Sequence, residues 1–137
     1  MSNKRVSAII IKKEKILLIH RIKPSTEYFV LPGGSVEASE NNRDALLREV
    51  KEETGLDVEI EKELWQVNNE YDKRTQYIYL ISKHSGNLEL GGPEKKRQSE
   101  DNKYILEWQN IKDLKIVNFF PSEIKTSIFE TFLDNIT

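Results

Sequence analysis

Between Gly33 and Leu56 the chain follows a spacing that leaves little freedom. Gly34 is followed by five residues, then Glu40, then seven residues, then Arg48, Glu49, Val50, Lys51, Glu52, Glu53, Thr54, Gly55 and Leu56. The segment reads as a strand feeding a tight loop and then a helix. Tyr28–Leu31 is a short apolar strand stopped by Pro32, Gly33 and Gly34. Asn41 can cap the helix with Asp44 three residues on, Ala45, Leu46, Leu47 and Val50 give it an apolar face, and Gly55 sits where a helix stops. On that helix Glu49, Glu52 and Glu53 stand at i, i+3 and i+4 and share one face. Arg48 reaches Glu52 at i+4, but no cation occupies the helical neighbours of Glu49 or Glu53. Like charges at these spacings cost about 0.2–0.5 kcal/mol per pair in an isolated helix. Two readings stand side by side: a solvated charged face, and a carboxylate cluster whose penalty a divalent cation reverses. Oxygen donors alone suit Mg²⁺ or Mn²⁺ better than zinc.

Around this segment the pattern is that of a mixed α/β (α+β) chain. Val6–Ile11 and Ile16–Ile19 are aliphatic runs separated by the charged Lys12–Lys15, which reads as a hairpin. Pro24 and Ser25 mark a turn before the Tyr28 strand. Alternation predicts further antiparallel strands over Asp57–Tyr71 and Arg74–Lys83, a long polar loop or flap over Ser85–Asn102, and a return to the sheet at Lys103–Trp108. Pro121 and Ser122 open a final helix whose Ile124, Ile128, Phe132 and Ile136 recur every four residues along one face.

Length and composition narrow the chemistry. A chain of 137 residues is expected to make one domain, residues 1–137. Twenty-one Lys and Arg against 23 Asp and Glu leave a net charge of −2, so no overall field attracts a polynucleotide, and none is expected as partner. The absence of cysteine excludes disulfides, thiolate nucleophiles and sulfur-ligated zinc. Val6–Ile11 is too short to be a signal peptide, and no stretch reaches membrane-span length. A cytoplasmic protein with no membrane partner is the expectation.

Nine specified positions of the Gly34–Leu56 pattern are filled, a coincidence on the order of 10⁻⁹ at average residue usage. The segment resembles the Nudix box of the Nudix hydrolases (MutT-like) and matches it without a departure. The resemblance implies an α/β/α sandwich with a mixed central sheet. It also implies a metal-dependent hydrolase that cleaves the diphosphate linkage of nucleoside diphosphate derivatives by water attack at phosphorus. In that reading Glu49, Glu52 and Glu53 bind Mg²⁺ (or Mn²⁺) and carry catalysis, with the Gly33 carbonyl as a further ligand, while Arg48 pairs with Glu40 to fix the loop. The general base comes from the box helix, with Glu49 favoured over Glu52, or from a later loop through Glu94, Glu100 or Asp101.

Substrate contacts are sought at Gly34, whose bare backbone admits close approach, at Glu37, and at Arg21 at the end of the second strand. Glu37 reads equally as an exposed loop carboxylate, and Arg21 as an edge-strand arginine meeting solvent. Lys95–Arg97 reads as a polyphosphate clamp or a solvated loop, with the loop favoured. It is also the sole candidate track for a capped RNA end. Tyr28, Phe29, Tyr71 and Tyr77 are base-stacking or core positions, and His20 and His84 are structural. Marks of three Nudix subgroups are missing: the proline of ADP-ribose pyrophosphatases falls at Asp72, the tyrosine of dinucleoside polyphosphate hydrolases at Lys73 or Arg74, and the coenzyme A motif is not reproduced at His20–Ile22. By elimination a (deoxy)nucleoside triphosphate or small nucleotide-sugar remains as substrate. The competing reading is a catalytically silent Nudix-fold module that binds a nucleotide or metabolite or docks on a protein. An aromatic edge or the C-terminal helix face leaves a homodimer open.

Overall fold

A computed structural model describes residues 3–70 and 72–133. The fold is mixed α+β, with two curled sheets. The first has the order β5 (Gly33–Ser35), β1 (Lys4–Ile9), β7 (Arg74–Ser85), β6 (Asp57–Asn69), with β1 and β7 parallel and the other pairs antiparallel. The second is built on β3 (Lys15–Lys23). From Lys15 to Ile22 it pairs with β8 (Lys103–Asn110), and its other edge is shared by β2 (Ile11–Lys12) and β4 (Thr26–Val30). A two-residue β9 (Phe119–Phe120) extends β4 in parallel.

The expected opening hairpin is confined to its tip. Ile11 and Lys12 pair with Ile16 and Lys15, whereas Lys4–Ile9 runs into the other sheet against Arg74–Ser85. The aliphatic runs explain this: both faces of these strands are buried. Val6, Ala8, Ile10 and Leu17 join one core with Ala45, Leu46 and Val50 of α1 (Asn42–Thr54). Ile9, Ile16 and Leu18 join the other with Ile111, Leu114, Ile124 and Ile128. The β-structure is thus packed by α1 on one side and the C-terminal helical turns on the other, and a strand covered on both faces has no polar alternation.

α1 forms where its signals place it. The Asn41 side chain accepts from the Asp44 amide at 2.8 Å, and Gly55 ends the helix in the left-handed region at φ 81°. The final helix is less regular than its period: a 3₁₀ turn (Ser122–Ile124), α3 (Lys125–Ile128) and a π turn (Phe129–Leu133) follow in succession. Ile124 and Ile128 are buried and Phe132 packs against them, while Ile136 lies outside the described residues. The expected flap over Ser85–Asn102 holds a short helix, α2 (Gly92–Arg97), and a bridge between Ser99 and Asn102. Among the described residues no helix is long and apolar enough to cross a membrane.

Candidate functional site

Two glycines let the loop after β4 press against α1 and β1. Gly33 has φ 154°, and a Cβ there would stand 2.0 Å from the Val6 carbonyl oxygen. At Gly34 a Cβ would stand 2.3 Å from a carboxylate oxygen of Glu49, so that carboxylate occupies the space a side chain would fill. Glu53 is only 6% exposed, and its Oε1 accepts the Gly33 amide at 2.7 Å. The loop and the helix are therefore joined through the acidic face itself.

Arg48 organises the rest. Its Nε and Nη2 donate to the two oxygens of Glu40 at 2.7 and 2.8 Å, the planar fork that suits a carboxylate. Nη2 also donates to the Ser35 carbonyl at 3.2 Å and lies 3.8 Å from Glu37. Glu37 and Glu40 bond reciprocally, each backbone amide donating to an oxygen of the other residue at 3.0 Å. The Arg48 guanidinium, aided by the Glu37 amide, holds the Glu40 carboxyl at about 2, well below its ordinary 4.5. Pairing with Glu40 first, then Glu49, pushes Arg48 above its ordinary value, so its charge is permanent.

Helical spacing gave Glu49 no cationic neighbour, and the structure corrects that. Arg48, one residue earlier, donates from Nη1 to Glu49 at 2.9 Å and to Glu52 at 3.3 Å. Adjacent helical residues do not face each other, but the long arginine side chain bends across the face. Among the described residues no three His, Asp or Glu side chains are placed to enclose a metal ion. The donors are nevertheless of one kind, carboxylate and carbonyl oxygen, gathered at one cleft.

That cleft, of about 480 Å³, collects Gly33, Gly34, Glu37, Glu49, Glu52 and Glu53, together with Arg21. Of the other residues weighed from the sequence for substrate contact, Arg97 also lines it, whereas Lys95, Lys96, Tyr28, Phe29 and Tyr77 do not. Glu100 and Asp101 do not, being exposed at the turn between Ser99 and Asn102, and the Glu94 side chain lies outside the described residues. Arg21 is not on an edge strand as its solvent-facing reading required, since β3 lies between β4 and β8. Its guanidinium stacks 3.7 Å from the Tyr104 ring centroid, donates to the Lys103 carbonyl at 3.3 Å, and bonds Asn102 and the Tyr28 hydroxyl. Phe29 is buried, stacked on His20, and Tyr77 packs against the α1 core, so neither offers a free ring; Tyr71 lies outside the described residues. His20 contacts Glu27 and Glu107, and His84 lies tilted against Trp108.

Sequence reasoning passed over Arg5, Ser35 and Tyr104, and it set Arg97 aside with its basic run. All four line the cleft. Their signal is the register that brings β1 and β8 beside the box loop, which no local pattern carries.

A family model described as NUDIX domain matches residues 1–127. The chain is 36% identical over 102 residues to ADP-ribose pyrophosphatase of Methanocaldococcus jannaschii, covering 70% of this chain and 60% of that protein. It therefore spans less than two thirds of the length of that relative. It is 31% identical over 116 residues to 8-oxo-dGTP diphosphatase of Buchnera aphidicola subsp. Schizaphis graminum, covering 83% and 82% of the two chains. In structure it resembles MutT as solved in work on the Aliivibrio salmonicida and Vibrio cholerae proteins. The TM-score is 0.73 at 22% identity, covering 94% of this chain and 98% of that one, a likeness of fold.

Proposed function

Because the chain belongs to the Nudix family, we propose that it is a divalent-metal-dependent pyrophosphohydrolase that cleaves the diphosphate linkage of a nucleoside diphosphate derivative. The observation that carries the reading is the convergence of Glu49, Glu52 and the buried Glu53 with the Gly33–Ser35 loop at one cleft that arginines also line, Glu53 accepting the Gly33 amide and Glu49 lying against Gly34. The relatives' names span two substrate types, ADP-ribose and an oxidised deoxynucleoside triphosphate. The missing proline at Asp72 favours the second type.

Glu49, Glu52, Glu53 and the Gly33 carbonyl would hold Mg²⁺ or Mn²⁺, hard ions matched by an all-oxygen donor set. When bound, such an ion neutralises phosphate oxygens and acidifies the attacking water. Glu49 would take the proton from the attacking water. Its support over the later-loop candidates is its place in the cleft, which Glu100 and Asp101 lack. A water oxygen forms the new bond to phosphorus, the bridging oxygen bond breaks in line, and the leaving phosphate departs with the electron pair. Gly34 gives the phosphate oxygens access to the loop, Arg21 supplies a preorganised positive charge, and Glu37 stands at the rim 3.8 Å from Arg48. The Arg48–Glu40 fork keeps the loop in register with the helix.

The test is incubation of purified protein with dGTP, 8-oxo-dGTP, ADP-ribose and other nucleotides, with and without Mg²⁺ or Mn²⁺, reading phosphate-containing products. Release of a nucleoside monophosphate only when the ion is present is the expected result. No turnover of any diphosphate compound, or full turnover in chelator, would sink the proposal.

A further inference from the structure

Four arginines line the cleft, and two of them are already committed. Arg48 serves Glu40, Glu49, Glu52 and the Ser35 carbonyl, and Arg21 serves Asn102, Lys103 and the Tyr104 ring. The side chains of Arg5 and Arg97 make no hydrogen bond or ion pair among the described residues. Both are nonetheless held in place through their backbones.

Arg5 lies on β1 directly opposite Ser35, one residue beyond the glycine that shelters the Glu49 carboxylate. Arg97 ends α2, on a strap fixed at both ends. Glu89 donates its amide to the Thr54 carbonyl at 2.8 Å, tying the strap to the end of α1. At the far end Asn102, bonded to Arg21, donates to the Arg97 carbonyl at 3.2 Å, and Gln98 accepts the Tyr104 amide at 2.9 Å. Within the basic run Lys95 lies 3.7 Å from Glu89, and Arg97 alone of the three lines the cleft.

A guanidinium with its donors unspent matches the oxygens of a phosphate, often in bidentate fashion. The two phosphates of a diphosphate linkage carry one negative charge each when both are esterified further, as in a nucleotide-sugar. A terminal phosphate has a second ionisation near pH 6 and carries close to two charges at pH 7. We infer that Arg5 and Arg97 are specificity-determining residues that bind the terminal phosphate of a nucleoside triphosphate, selecting it over a nucleoside diphosphate capped by a sugar. The inference rests on the hydrolase reading above and chooses between the substrate types that reading leaves.

The experiment compares kcat/KM for dGTP and ADP-ribose in the wild type, Arg5→Ala, Arg97→Ala and Arg97→Lys, with circular dichroism confirming that each variant folds. The wild type should favour dGTP. Each alanine variant should lower the dGTP to ADP-ribose ratio by at least about tenfold, chiefly through KM, and Arg97→Lys should recover part of it. An unchanged ratio, or a wild-type preference for ADP-ribose, overturns the inference. Calorimetry with inorganic triphosphate in metal-free buffer separates the two failures. If nothing is hydrolysed, the hydrolase reading fails, and the anion site still stands or falls on binding. A loss of at least about tenfold in both alanine variants supports it, and equal binding in all four proteins overturns it.

Discussion

Glu49 and Glu53 stand four residues apart on one helix and answer to different neighbours. Glu53 is buried and accepts a loop amide, a bond that glutamine can keep while losing the charge. Glu53→Gln should therefore melt close to the wild type while kcat falls by about 100-fold or more, the scale of losing one electrostatic contact at a reacting centre. Unchanged kinetics would remove Glu53 from the site. The adjacent glycines make a contrasting pair. At Gly34 the intruding methyl would meet the end of the Glu49 side chain, which can swing, so Gly34→Ala should lower turnover with little change in stability. At Gly33 it would meet fixed backbone at an unfavourable φ, so Gly33→Ala should cost at least about 1–3 kcal/mol by denaturant unfolding. Glu40 adds a pH signature. Its folded pKa of about 2 lies below the ordinary 4.5, so its stabilising effect is complete above about 4.5 and is lost as pH falls toward 2. Melting temperature measured across that window should fall less steeply in Glu40→Gln than in the wild type.

At the scale of elements, α1 was legible because its signals are local: a cap, an apolar face and a terminating glycine within one short stretch. The cap can be priced. Asn41→Ala should destabilise the protein by about 1 kcal/mol in urea unfolding, and no loss would show that packing alone sets the helix start. β1 was misjoined for the opposite reason. The Val6–Ile11 run announces burial but not partner, and its pairing with Arg74–Ser85 is decided across about half of the chain. The strap before β8 read as a polar loop because polarity does not disclose anchoring. Its hold on α1 is a main-chain bond from Glu89, and its other hold passes through Arg21. Arg97 gains its place in the cleft from those two distant attachments, so no window around Lys95–Arg97 could have separated it from its neighbours.

For the whole molecule, the family match spans residues 1–127, far more than the box that suggested it. The box was readable since carboxylates, glycines and their spacing are local, whereas the cations across the cleft are supplied by β1, β3 and α2 and emerge only once the sheets assemble. Ion binding should be visible without any turnover. At ten times its dissociation constant Mg²⁺ should stabilise the protein by about 1.4 kcal/mol and raise the melting temperature by roughly 4 °C, an increase that Glu52→Gln should diminish. An identical melting curve with and without saturating Mg²⁺ would argue against a site that binds the ion in the folded state.

Arg48 is shared among three carboxylates. One guanidinium bridges Glu40, Glu49 and Glu52, so a fixed positive charge stands among the like charges of the helix face. On the proposed reading, an ion at Glu49 and Glu52 would compete with Arg48 for the same oxygens, and the fork to Glu40 would remain as the arginine's own anchor.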